Sequence, residues 1–433
     1  MEFYSTRDPK KTTITAAAAI MRGLAPDGGL YVPTSFPKFE TYLDLSYQEL
    51  AYQILSLYLT DFQEAELRDY IQAAYENQLP AKLRAPYLEL YHGKTLAFKD
   101  VALQLFPYLL TSALAKNQVK QTAVILAATS GDTGSAVLAG IAHVPKTKAI
   151  VFYPENGVSS VQKLQMTTQE GDNVHVFAIK GNFDDAQTGV KELFSDEAFK
   201  QEFSEDYFFT SANSINLGRL LPQIVYYFFA YSQLVAEGQI QKDDPINFVV
   251  PTGNFGNILA GYYARKMGLP IQKLICATNK NDVLDEFFKT GVYNKNRSFH
   301  QTLSPSMDIL ISSNLERLTL TGEDLSLFTS GSASDDQTLE AIRNVYEAEG
   351  YVIDPHTAVA KYVYDQYQAV SKDKTYTVIV STASPYKFPE AVTSAIGSNL
   401  SDIPAAIADL QSRPILHPHV IDDLKEAVRG VLS

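Results

Sequence analysis

The chain has 433 residues, 45% of them hydrophobic and 20% charged, which excludes wholesale disorder and exceeds what one simple core holds. Its 36 basic against 49 acidic residues leave a formal net charge of −13. That sign argues against a general nucleic-acid binder, while sparing a local site for a small anion. The single cysteine, Cys276, excludes an intrachain disulfide, and no Cys/His spacing reads as a zinc site. His417 and His419, in a Pro-broken tail, read as a surface turn. No segment approaches the ~18–20 apolar residues that span a bilayer. Residues 1–7 lack the basic start and apolar stretch of a secretory signal. The expectation is a soluble cytoplasmic protein with neither nucleic acid nor membrane as partner, monomer or dimer both being open.

The first ninety residues read as mainly helical. Ser46-Tyr-Gln-Glu49 and Asp61-Phe-Gln-Glu64 are capping-box patterns, each ahead of an apolar stripe at helical spacing. From Gln121 short apolar runs alternate with helical stretches. Residues 123–127, 149–152, 174–179 and 207–210 read as strands, with helices near 134–143, 160–170 and 184–194 between them. A long apolar and aromatic helix is expected over 217–235, followed by a strand at 246–250, a helix near 256–267, and strands at 273–277 and 376–380. Such alternation predicts parallel sheets covered on both faces. The simplest division is a helical domain over 1–90, a large α/β domain from 91–120 with 214–433, and a smaller α/β domain over 121–213.

In open α/β sheets ligands lie at the carboxyl ends of strands, and four segments there can carry chemistry. Pro251-Thr-Gly-Asn-Phe-Gly-Asn257 follows a strand and opens a helix, so its amides form a phosphate cradle of neutral donors. A plain Gly-rich turn explains it equally well, and it lacks the third glycine of a dinucleotide fingerprint. Ala128-Thr-Ser-Gly-Asp-Thr-Gly134 offers three hydroxyls, Thr129, Ser130 and Thr133, more than N-capping requires, and suits a carboxylate. In His92-Gly-Lys-Thr-Leu-Ala-Phe-Lys-Asp100 a Walker A loop fails, because Leu88 stands where its first glycine belongs. Lys99, among Leu96, Ala97, Phe98 and Val101, is either a snorkelling helix lysine or a desolvated amine able to form a Schiff base. Ser381 and Thr382 place hydroxyls at the last clear strand end.

Taken together and in order, these segments resemble the pyridoxal-phosphate enzymes of the tryptophan synthase β-subunit fold, and within them the threonine synthases. Pro26-Asp-Gly-Gly-Leu-Tyr-Val-Pro33, Ser211-Ala-Asn-Ser-Ile-Asn216 with Arg219, and Ser381-Thr-Ala-Ser-Pro-Tyr-Lys-Phe388 complete the match, which covers most of the chain. The resemblance implies that Lys99 holds pyridoxal 5'-phosphate as a Schiff base. It implies that Gly253, Asn254, Phe255, Gly256 and Asn257 hold the cofactor phosphate. Thr382, with Ser381 second, faces the ring nitrogen, and Asp132 takes the place of an asparagine beside the phenolic oxygen. The implied substrate is O-phospho-L-homoserine, converted with water to L-threonine and phosphate. Its carboxylate meets Thr129, Ser130 and Thr133; its phosphate meets Asn213, Ser214 and Arg219, with Lys163 a second cation. Arg219 as an ordinary helix-surface charge stays open. Other readings are a dehydratase, a cysteine synthase or a phosphohomoserine lyase of the same fold, or an inactive relative that only binds.

Overall fold

The computed structural model describes residues 1–76, 78–319 and 325–433. Two parallel-rich sheets carry the architecture. The larger has six strands in the order Phe328–Ser332, Ile271–Thr278, Ile246–Pro251, Tyr376–Ser381, Tyr87–Glu89, Lys82–Arg84, with the last pair antiparallel. The smaller has five parallel strands, in the order Val420–Ile421, Val174–Ile179, Thr147–Pro154, Thr122–Ala128, Tyr207–Thr210. Every residue of Ile246–Pro251 is buried, as expected of a parallel strand covered on both faces. Register pairs Val249 with Ile275 on one side and with Ile379 on the other, so β-branched side chains interlock across three strands.

The segment 1–90 holds helices Ala16–Arg22, Tyr47–Tyr58 and Glu64–Tyr75, together with several short strands. Glu2–Ser5, Ile14–Thr15 and Tyr31–Pro33 form a small antiparallel sheet, and Tyr87–Glu89 joins the six-stranded sheet. Strands of two to four residues are too short to show an alternation in sequence. The cap of Glu64–Tyr75 also differs from the expectation. Gln63 caps it, its amide bonded by Glu66 at 3.1 Å, whereas Asp61 accepts from the Ala17 amide at 2.8 Å, at the start of another helix. The carboxylate serves the free helix N-terminus that tertiary packing brings to it. The aromatic helix is broken near Leu221 into Leu217–Leu220 and Pro222–Ala236, the proline standing at a first-turn position. Among the described residues no helix is long and apolar enough to cross a membrane.

Candidate active site

The carboxyl ends of Thr122–Ala128, Ile246–Pro251 and Tyr376–Ser381, one from the smaller sheet and two from the larger, face a common cleft. Lys99 opens the short helix Lys99–Leu103 and lines it, 8% exposed. Burial pulls its ammonium down to about 8, with Asp132 opposing that shift and Arg219 and Lys387 adding to it. An amine that gives up its proton near neutrality is a nucleophile and a base.

Behind Ile246–Pro251 the chain turns through Gly253–Asn257 into helix Gly256–Met267. Phe255 holds a φ of 61°, in the left-handed region that side chains rarely adopt. The outer face of this turn is tied down. Ser312 Oγ donates to Gly253 O at 2.7 Å and Asn314 Nδ2 to Asn254 O at 2.9 Å. With the carbonyls drawn outward, the cleft meets the amides and the helix N-terminus, whose first N–H groups have no preceding turn to bond. A Cβ on Gly253 would sit 3.0 Å from Ser306 O, so any larger residue would have to push the facing loop back. Asn257 Oδ1 accepts from Tyr226 and Tyr227 at 2.7 and 2.8 Å, while its buried Nδ2 has no partner.

Arg219 is 2% exposed and donates from Nη1 to Ala212 O at 2.6 Å, leaving Nε buried and unpartnered. Burial lowers its pKa to about 10. Beside it Asn213 Oδ1 is also unpartnered, and Ser214 Oγ accepts from Asn254 Nδ2 at 2.6 Å. Arg219 is therefore no helix-surface charge. Arg219 Nε and Asn257 Nδ2, buried spare donors in one cleft with a helix start, fit anionic groups such as phosphates.

On the facing wall Thr129 Oγ1 accepts from the amides of Gly131 and Gly134 at 2.9 and 2.8 Å, which makes it the brace of its own turn. Ser130 and Thr133 line the cleft with it. Thr382 lines the cleft, and its carbonyl accepts from Phe98 N at 2.8 Å; Ser381 turns away to Thr357 Oγ1 at 2.9 Å. Lys163 is exposed and outside the cleft. Asp132 is not part of the lining either. It is held by Lys387 at 2.7 Å, Gln162 at 2.9 Å and Ser306 at 3.0 Å. Burial opposes its ionisation, but Lys387 and Lys99 outweigh it and keep its carboxyl below the usual range.

Several residues of the site carry no signal in the sequence. His356, buried and lining the cleft, accepts from the Ser306 amide on Nε2 at 3.2 Å, so its proton sits on Nδ1, facing Asp354 at 2.7 Å. Arg317, 1% exposed, joins Asn314, Tyr31 O at 2.9 Å and Ile215 O at 2.6 Å, fastening the phosphate-side loops to the N-terminal sheet. Only the fold brings these partners together.

Comparison with known proteins agrees with this geometry. Models described as threonine synthase N terminus, pyridoxal-phosphate dependent enzyme, and threonine synthase C-terminal match residues 2–75, 87–382 and 357–431. Threonine synthase of Saccharomyces cerevisiae is 38% identical over 91% of this chain and 89% of that protein. The Pseudomonas aeruginosa threonine synthase is 40% identical over 95% of this chain and 94% of that protein. The structure of PLP-bound threonine synthase from Brucella melitensis superposes with a TM-score of 0.89 at 36% identity, covering 100% of this chain and 98% of that one. Pyridoxal phosphate is accordingly the cofactor that this fold serves. By its sequence, its fold and the arrangement of its cleft, the chain belongs to the threonine synthase family of pyridoxal-phosphate-dependent lyases.

Proposed function

We propose that the protein converts O-phospho-L-homoserine and water to L-threonine and phosphate, the last step of threonine biosynthesis, in the cytoplasm. The observation that carries this reading is one buried amine, Lys99, facing a cleft with unpartnered donors for anions in two places: Asn257 with the Gly253–Asn257 turn, and Arg219. Held by Lys99 until the substrate's amine displaces it and frees the lysine, pyridoxal phosphate would supply an electron-withdrawing ring that makes the substrate's carbon-bound protons acidic.

The chain's own groups do the rest. Gly253–Asn257 amides and Asn257 Nδ2 hold the cofactor phosphate, and Thr382 is the hydroxyl offered to the ring nitrogen. A hydroxyl, unlike a carboxylate, does not force a proton onto that nitrogen. Lys99, its proton loosened by burial, takes the Cα proton and later carries protons between neighbouring carbons. Arg219, Asn213 and Ser214 hold the substrate phosphate and stabilise the charge that grows as it departs. Ser130, Thr133 and the start of helix Asp132–Ile141 orient the carboxylate, with Thr129 shaping that turn.

Turnover of O-phospho-L-homoserine, with phosphate and threonine both measured, tests the reading. Equal amounts of the two products are expected. Phosphate released alongside 2-oxobutyrate, with no threonine, would establish a phosphohomoserine lyase in its place. Lys99→Ala removes both the visible cofactor band and turnover.

A further inference from the structure

Asp132 and Lys387 form a 2.7 Å ion pair with 2% and 0% of their side chains exposed. The proposed chemistry does not use it. The partners come from the two halves of the molecule, Asp132 after Thr122–Ala128 of the smaller sheet and Lys387 after Tyr376–Ser381 of the larger. Lys387 Nζ also donates to Thr95 O at 2.7 Å. Thr95 in turn grips Asp100, the neighbour of Lys99, through its amide at 2.8 Å and its hydroxyl at 2.7 Å. One ammonium thus connects the turn that carries Lys99 to the carboxylate across the cleft.

A buried ion pair is a poor stabiliser, because taking both charges out of water costs about what their attraction returns. Apolar side chains of the same volume would join the two halves as well. They would not hold two opposite charges at fixed places near a third ionisable group. Asp132 favours the charged form of Lys99; Lys387 and Arg219 oppose it.

We propose that Lys387 is a positioning residue for Lys99: through Thr95 it fixes the turn bearing Lys99, and by pairing with Asp132 it sets the charge balance at the Lys99 nitrogen. This rests on the reading that Lys99 bonds the cofactor. The charged or titratable groups around that nitrogen are Asp132, Lys387, Arg219 from Leu217–Leu220, Asp100 on the same helix but turned to Thr95, and His356 across the cleft.

The visible band of the holoenzyme, titrated with pH, reads this balance directly. Lys387→Met leaves Asp132 facing Lys99 alone and moves the midpoint up. Asp132→Asn leaves Lys387 alone and moves it down, each by about one unit or more. The double variant, neutral at both positions, returns toward the wild-type midpoint. Single variants that titrate like the wild type, or that both move the same way, while only thermal stability falls, would make Lys387 a structural peg and overturn the proposal. Should Lys387→Met not fold, Asp132→Asn compared with the double variant decides, and equal midpoints overturn it. Lys99→Ala is the separate control: a surviving band there sinks the Schiff-base assignment, whatever the midpoints show.

Discussion

Two arginines in this protein are equally buried and equally far from their usual basicity. Arg219 and Arg317 expose 2% and 1%, and burial lowers both to about 10. They differ in what they touch. Arg317 reaches Tyr31 O, Ile215 O and Asn314 Oδ1, three acceptors from three parts of the chain. Arg219 has one carbonyl, from Ala212, and a buried Nε with no partner, and it borders the cleft. The first is a fastening whose donors the protein itself uses. The second is desolvated at a cost that only a ligand recovers. Burial and charge alone do not separate structure from function here; the idle donor does.

Removing each arginine separates the two roles. Arg219→Met is expected to lower kcat/KM by about 10²–10⁴-fold, the equivalent of the few kcal/mol that a buried charged contact contributes. Its melting temperature should hold or rise, since an unsatisfied buried cation has been replaced by an apolar chain. A variant that loses stability and keeps kcat/KM would reverse the assignment. Arg317→Met strands three acceptors and is expected to cost about 3 kcal/mol of folding stability, read by denaturant unfolding, with a smaller effect on kcat/KM per folded molecule. Turnover falling as far as in Arg219→Met, with unchanged unfolding, would show that Arg317 also serves the substrate.

The same contrast explains what the sequence could and could not say. Arg219 stands five residues after Ser214, within a short motif, so its role is legible locally. The partners of Arg317 and Lys387 lie 286 and 292 residues away, at Tyr31 and Thr95, and no local pattern encodes such a meeting. Likewise the strand runs at 174–179 and 207–210 match the observed elements to the residue, because continuous apolar runs between turn signals are local facts. The two-residue strands at Ile14–Thr15 and Val420–Ile421 exist only through their pairing. Asp132 shows the intermediate case: its place at a helix start is local, but Lys387, which turns it into half of an ion pair, is not.

A buried cation has another outlet, which is to release its proton. Lys99, held near 8 mainly by burial, follows that course. Its folded value lies below the ordinary 10.5, so the neutral amine grows as pH rises toward about 8. The rate at which apoprotein captures pyridoxal phosphate should therefore climb about tenfold per pH unit below that value and level above it. A rise that continues unbroken to pH 10 would mean that Lys99 keeps its solution basicity and that burial is not what activates it.

The smallest effect is expected where the geometry looks best. Arg7 meets Glu316, the neighbour of Arg317, in a two-pronged contact at 2.9 and 2.7 Å, as close as the buried Asp132–Lys387 pair at 2.7 Å. Yet 53% of the Arg7 side chain is exposed, against 21% for Glu316, so water already screens the arginine's half of the pair. Side-chain Thr6 Oγ1 also donates to Glu316 at 2.6 Å, so the carboxylate keeps a partner when the arginine goes. Arg7→Ala should shift stability by under about 1 kcal/mol, and the shift should shrink as salt is raised. If it instead destabilised as much as Arg317→Met, with no salt dependence, the N-terminal sheet would be held by its surface pair, and exposure would have to give way to contact geometry as the measure of what an arginine does in this fold.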